Sequence, residues 1–234
     1  MVRPDRHGGP ASLGALMRGR SPFFSLVYQF NLLPSRYMHA SWADELFTPE
    51  IWRRLQESPR AEPHLNRMIL GDLGVSGTFP ADFCGWAARL ALVDGTTVDR
   101  LALHLGMVVE GAALRRVIAG EEVRRLREAL GADGHAFAVQ RAPLLAAAAG
   151  LPSPVNSGGS PLIERLRSAG ISLIGSAMAG LPPEILKRFL LKLPRTARGS
   201  FIPSDRSARA LALTTRVFKE TEPKWASLFA SQMA

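Results

Sequence analysis

The sequence predicts an all-α protein, an irregular bundle of about nine or ten short helices with no significant sheet. Apolar residues recur at the i, i+3, i+4 spacing of amphipathic helices along most of the chain, and capping residues, glycines and prolines separate these stretches. No segment of four to eight residues has a convincing alternation of apolar and polar side chains, and no repeat occurs at a fixed spacing.

The first elements follow from local signals. Residues 1–22 are rich in glycine, arginine and proline without an apolar period, which predicts a flexible basic tail. The aromatic stretch 23–42 contains Pro34, which predicts a short helix or extended segment and then a turn. Thr48 is expected to cap a helix that has Pro49 in its first turn.

Helices continue through the middle of the chain. Leu65, Met68, Ile69 and Leu73 have helical spacing, and the helix is expected to end at Gly74. Further helices are predicted over 80–93, 97–118, 121–130, which Gly131 would end, and 135–149. On the helix over 80–93, Cys84 lies beside Phe83 and Trp86 and is expected to be buried and inert.

The segment 151–161 has three prolines and two glycines and predicts a linker. It divides a helical body, 23–150, from a C-terminal helical region, 162–234, that we expect to pack on the body. In that region the sequence predicts a helix over 162–179, an amphipathic helix over 185–193 and a final helical pair.

Size and composition limit the class of protein. The 234 residues suit one globular domain, or one and a half, with a sizeable core. The 47% hydrophobic content argues against wholesale disorder, and a single cysteine excludes an internal disulfide. No uncharged run reaches the ~20 residues of a membrane span. We therefore expect a cytoplasmic, unprocessed chain.

The net charge of +9 is unevenly distributed. Residues 1–20 carry +3, residues 21–180 are neutral and residues 181–234 carry +6. In the C-terminal part, Arg206, Arg209 and Arg216 fall within about 80° of one another on a helix. This basic stripe is able to meet an acidic protein surface, anionic lipid or nucleic acid, or it is simply a solvated face.

Sequence motifs of catalysis are missing. The chain has no phosphate-binding glycine loop, no dinucleotide fingerprint and no nucleophile elbow. Its five histidines are scattered, and a structural hydrogen bond is the expected role of His39 and His64. We therefore expect no enzyme, no cofactor and no metal. A basic helical nucleic-acid-binding protein is the alternative, but the basic runs lack interleaved aromatic residues for base stacking.

Four stretches together resemble the YscK/SctK family of bacterial type III secretion systems. They are LLPSRYMHASW (32–42), HLNRMILGDLGV (64–75), LALHLGMVVEGAALRRVIAG (101–120) and RFLLKLP (188–194). Their order and rough spacing agree with the family over about residues 27–220, whereas residues 1–22 and 135–160 depart from it.

The resemblance implies a helical, non-enzymatic adapter at the cytoplasmic face of the inner membrane. Such an adapter would link the cytoplasmic domain of the inner-membrane ring protein to the pod protein of the sorting platform, and indirectly to the stator and ATPase. Nucleic acid is then not an expected partner. The candidate partner-binding residues are Tyr37, His39, Trp42, Arg115, Arg116, Arg206, Arg209 and Arg216. For the segment 37–42, packing in the core is the competing interpretation, and for Arg115 and Arg116 a solvated, salt-bridged face.

Overall fold

A computed structural model describes residues 22–111, 120–150, 161–201 and 207–230. These residues form twelve α-helices joined by turns, two 3-10 segments and one π segment, and no strand occurs among them. The all-α class predicted from the sequence is confirmed. Of the tail expected over 1–22 and the linker expected over 151–161, residues 1–21 and 151–160 lie outside the described residues.

The α-helices are α1 (Pro22–Leu32), α2 (Ala40–Ala43), α3 (Pro49–Glu57), α4 (Glu62–Asp72), α5 (Trp86–Leu90), α6 (Gly95–Val109), α7 (Gly120–Ala136), α8 (Ala142–Ala149), α9 (Leu162–Ala177), α10 (Pro183–Leu190), α11 (Ser207–Thr221) and α12 (Pro223–Ala230). The 3-10 segments are Pro34–Arg36 and Arg195–Ser200, and the π segment is Phe137–Arg141. None of the helices in the described ranges is long and apolar enough to cross a bilayer.

Several helices begin or are interrupted at the capping residues, prolines and glycines that predict this in the sequence. Thr48 Oγ1 accepts the backbone N–H of Ile51, and Pro49 opens α3, as the sequence predicts. The Asp94 carboxylate caps α6 by accepting the N–H of Thr97 at 2.8 Å. At Gly131 the backbone has φ 70° and ψ 178°, which interrupts α7 at the glycine expected to end a helix.

The helix predicted over 80–93 is wrong in its extent, because only Trp86–Leu90 is helical. The preceding carbonyls are bonded by side chains: Asn31 Nδ2 donates to Pro80 O and Arg89 Nε to Phe83 O, each at 2.9 Å. These two carbonyls are thus satisfied without a helix. The expected burial of Cys84 is also wrong, since this thiol is exposed.

Two apolar clusters form the interior. The larger one joins α1, α6, α9, α10, α11 and α12 and contains the fully buried Phe30, Leu105, Ile174, Phe189 and Phe218. The smaller one has three buried members, Leu65, Ile69 and Leu191. Its other members are only partly buried, so this second cluster opens toward the surface.

The helices α6 and α9 cross with their backbones in direct contact. A Cβ atom at Gly106 would lie 1.9 Å from the carbonyl oxygen of Leu166, and one at Gly170 would lie 1.8 Å from that of Ala102. Glycine at both positions is what permits this close approach. This crossing packs α9, the helix after the expected linker, against α6 of the expected helical body 23–150.

Three basic side chains are buried and bind backbone carbonyls. Arg89 Nη1 donates to Phe229 O at 2.5 Å and so holds the end of α12. Arg188 donates to Val75 O and Thr78 O, and Lys192 donates to two carbonyls before α6. Part of the C-terminal basic charge is therefore interior.

Candidate partner-binding surfaces

Tyr37 lies mostly inside the fold. Its hydroxyl donates to Phe30 O at 2.8 Å, and its ring stacks on that of Phe30 with centroids 5.9 Å apart. Burial raises the pKa of the phenol. These contacts favour a packing role for Tyr37.

The other two aromatic-segment candidates are nearer to solvent. His39 is exposed, and its Nδ1 accepts the backbone N–H of Ser41 at the start of α2. Trp42 is half-buried, and its Nε1 donates to Leu193 O at 2.9 Å. The guanidinium of Arg195 lies over the indole of Trp42 at 5.9 Å. The indole N–H of Trp42 is thus held by a hydrogen bond, while part of its side chain remains exposed to solvent.

Trp42 lines a groove of about 470 Å³ that we call the aromatic groove. It lies between α2, α3, α4, α10 and the segment Arg195–Ser200. Its lining residues are Met38, Trp42, Glu45, Leu46, Phe47, Trp52, Met68, Ile69, Asp72, Leu73, Lys187, Leu190, Leu191, Arg195 and Arg198. The floor is the open side of the smaller apolar cluster.

This groove was not predicted from the sequence. The spacing of Ile51, Trp52 and Leu55 places them in one apolar stripe on α3, yet α3 has no buried residue. Ile51 is 49% exposed. The sequence did contain one signal for the groove: α3 is amphipathic, but its neighbours supply only a short apolar segment to cover its apolar face.

A second groove contains part of the predicted basic stripe. Arg209 and Arg216 are exposed on α11 and line a groove of about 510 Å³ against α8. Its floor consists of small and apolar residues: Leu145, Ala147, Ala148, Ala149, Gly150, Ala212 and Leu213. We call it the basic groove. Arg206, Arg115 and Arg116 lie outside the described residues.

Arg216 is partly neutralised by Glu220. The two side chains approach to 3.6 Å, but Glu220 lies closer to Arg141, at 2.9 Å. No ion pair involves Arg209 in the described part of the chain. The basic groove therefore presents positive charge over an apolar floor.

A cleft of about 1000 Å³ reaches Lys192. The Lys192 ammonium donates to Ala91 O and Val93 O at 2.6 Å and lies over the rings of Phe30 and Tyr37. No carboxylate within the described ranges pairs with it, and burial lowers the pKa of Lys192 to about 7. A neutral amine keeps two N–H groups, enough for both carbonyls.

We predict that Lys192 makes stability depend on pH. The folded pKa, about 7, lies below the ordinary 10.5, so the unfolded chain binds more protons between these values. The free energy of unfolding should therefore rise with pH across that window because of Lys192, by about 1–3 kcal/mol between pH 7 and 10. Urea unfolding of the wild type and Lys192→Met at several pH values measures the difference. If the free energy of unfolding changes with pH in the same way in both proteins, Lys192 stays charged in the fold.

No group of three or more His, Cys, Asp and Glu side chains in the described residues is arranged to hold a metal ion. What these residues do present is a pair of grooves with apolar floors and basic rims, which share no lining residue. Fold and surfaces together define an all-α protein, in which Trp42, Arg209 and Arg216 are the candidate residues that line the two grooves.

Residues 25–230 match the family model of the YOP proteins translocation protein K (YscK). Because this match spans most of the chain, the protein belongs to the YscK family. The fold is also similar to the cytoplasmic domain of the type III secretion sorting platform protein PscK from P. aeruginosa, with a TM-score of 0.53 and 24% identity. The alignment covers 85% of this chain and 95% of the PscK domain. The comparison with curated proteins finds no match.

Proposed function

We propose that this protein is a non-enzymatic cytoplasmic adapter of a type III secretion sorting platform. It links the cytoplasmic domain of the inner-membrane ring protein to the pod protein, and through the pods to the stator and ATPase. The observation that carries this proposal is the YscK match over residues 25–230. The similar fold of PscK, a sorting platform protein, supports it.

The arrangement of the two grooves suits an adapter, which has to contact two partners at once. The aromatic groove lies on α2, α3, α4 and α10, whereas the basic groove lies on α8 and α11. Each combines apolar contact area, which prolongs a complex, with charged rims, which speed association. The burial of Arg188 and Lys192 removes two cations from the set that suggested nucleic acid.

Deletion of the gene in the source bacterium tests the proposal. We expect secreted proteins to disappear from the culture supernatant and the pod protein to leave the membrane fraction. Expression of the wild-type chain should restore both. Normal secretion and normal fractionation of the pod protein in the deletion strain would refute the adapter role.

Charge reversal tests the basic groove. We predict that Arg209→Glu combined with Arg216→Glu leaves the helical circular dichroism unchanged and weakens binding to a sorting platform partner about five- to tenfold, because rim charges steer association. Arg124→Glu with Arg127→Glu, two exposed arginines on α7, is the matched control. Pull-down of the pod protein and the ring domain at physiological salt measures the effect. Undiminished recovery of both partners would exclude this face as an interface.

A further inference from the structure

The described residues leave the apolar floor of the aromatic groove incompletely covered. Leu46 is 57% exposed and Met68 is 39% exposed, and both line the groove. The rings of Phe47 and Trp52 stack with centroids 5.9 Å apart and form a rigid platform between them. Aromatic side chains and methionine are enriched where proteins bind other proteins.

The charged lining of this groove has a small excess of cations. Its lining has three basic side chains, Lys187, Arg195 and Arg198, against two carboxylates, Glu45 and Asp72. Arg195 is bonded to Glu45 and is thereby neutralised. Lys187 and Arg198 make no ion pair within the residues that the structure describes. An occupant therefore meets an apolar floor with two available cations and one carboxylate, Asp72, beside it, a net charge of +1.

The charge pattern disfavours the occupants that this chain can supply. Residues 1–20 carry a net charge of +3, so the tail brings further positive charge to a groove that is already positive. A second copy docking by the same face would bring two grooves of the same net positive charge against each other. Carboxylates on the occupant would instead pair with these two side chains.

We propose that the aromatic groove binds an acidic amphipathic helix of a partner protein, whose apolar side chains contact Trp42, Trp52 and Met68 while its carboxylates pair with Lys187 and Arg198. Grooves of this kind accept helix anchors spaced at i, i+3 or i+4, and i+7. The inference rests on the proposed function only in expecting the partner to be a component of the same secretion apparatus.

Photo-cross-linking in the living bacterium tests this assignment. The photoreactive residue p-benzoylphenylalanine replaces Leu46 in the full-length chain, and in a control it replaces Leu144, which is 62% exposed on α8. Mass spectrometry then maps the cross-linked segment. We expect an adduct from position 46, absent from position 144, that maps to a partner segment with apolar residues at helical spacing and several Asp or Glu side chains.

Two variants of the cross-linking chain separate the contributions of charge and apolar contact. Lys187→Glu with Arg198→Glu should lower the adduct yield at least fivefold, and so should Met68→Ser. Leu144→Ser is the matched control for the loss of an exposed apolar side chain and should leave the yield unchanged. A synthetic peptide of the mapped segment should quench or shift the fluorescence of Trp42 and Trp52, and its Asp→Asn, Glu→Gln version should bind at least tenfold more weakly.

The outcomes distinguish this proposal from the proposed function. An adduct with a second copy of the chain or with residues 1–21, a neutral or basic mapped segment, or no adduct overturns the groove assignment. Any of these leaves the adapter role standing if gene deletion still abolishes secretion. An acidic amphipathic segment from a protein outside the secretion apparatus supports the groove and argues against the adapter role.

Discussion

Replacing Gly106 by alanine is expected to lower the melting temperature by about 5–10 °C. The new Cβ atom would lie 1.9 Å from the carbonyl oxygen of Leu166, far inside van der Waals contact, and a backbone atom cannot rotate away as a side chain does. Separating α6 from α9 should cost about 2–4 kcal/mol, more than the roughly 1 kcal/mol that alanine gains over glycine in a helix. Thermal unfolding followed by far-UV circular dichroism measures the change.

Gly71→Ala is the matched control for Gly106→Ala. Gly71 also lies in a helix, α4, but a Cβ atom there would meet only Ser76 Oγ, at 3.8 Å. The same substitution should therefore leave the melting temperature unchanged or raise it slightly. If both variants unfold at the wild-type temperature, the close approach of α6 and α9 is not present in the folded protein.

Replacing Arg188 by methionine is expected to destabilise the fold by about 2–4 kcal/mol. The Arg188 side chain is 0% exposed, and its guanidinium donates to Thr78 O at 2.7 Å, Thr78 Oγ1 at 3.1 Å and Val75 O at 3.3 Å. Methionine fills much of the same apolar space but leaves these acceptors without their donor. The turn after α4 should then detach from α10.

The control for Arg188→Met is Arg198→Met, which removes the same charge from an exposed side chain ten residues further along the chain. We expect this control to change the free energy of unfolding by less than about 0.5 kcal/mol. Urea denaturation gives both values. Faster proteolysis near residues 75–78 in Arg188→Met alone would locate the damage, whereas equal stability of the two variants would contradict the anchoring role of Arg188.

Local signals in the sequence were sufficient for most helices. Thr48 with Pro49 and the glycine at 131 act through atoms within a few residues, so that their structural effect is readable without the fold. The structure of the segment before α5 could not be predicted in this way. Its carbonyls are bonded by Asn31 and Arg89, and the pairing of Asn31 with Pro80 spans 49 residues.

The candidate site was predictable only in part. The burial of Arg188 and Lys192 could not be predicted from the sequence. The carbonyls that they bind, at residues 75, 78, 91 and 93, come from a distant part of the chain. The aromatic groove is likewise built by α3 and α4 meeting α10. Periodicity shows that a helix has an apolar face, but not whether the fold supplies enough residues to cover it.

Reconstitution of the proposed linkage tests the central claim most directly. The purified chain is mixed with the cytoplasmic domain of the inner-membrane ring protein and with the pod protein, and complexes are sized by chromatography with light scattering. The adapter role predicts that the ring domain and the pod protein elute together only when this chain is present, in a complex that contains all three. Association of the ring domain with the pod protein without the chain, or failure of the chain to bind either one, would contradict it.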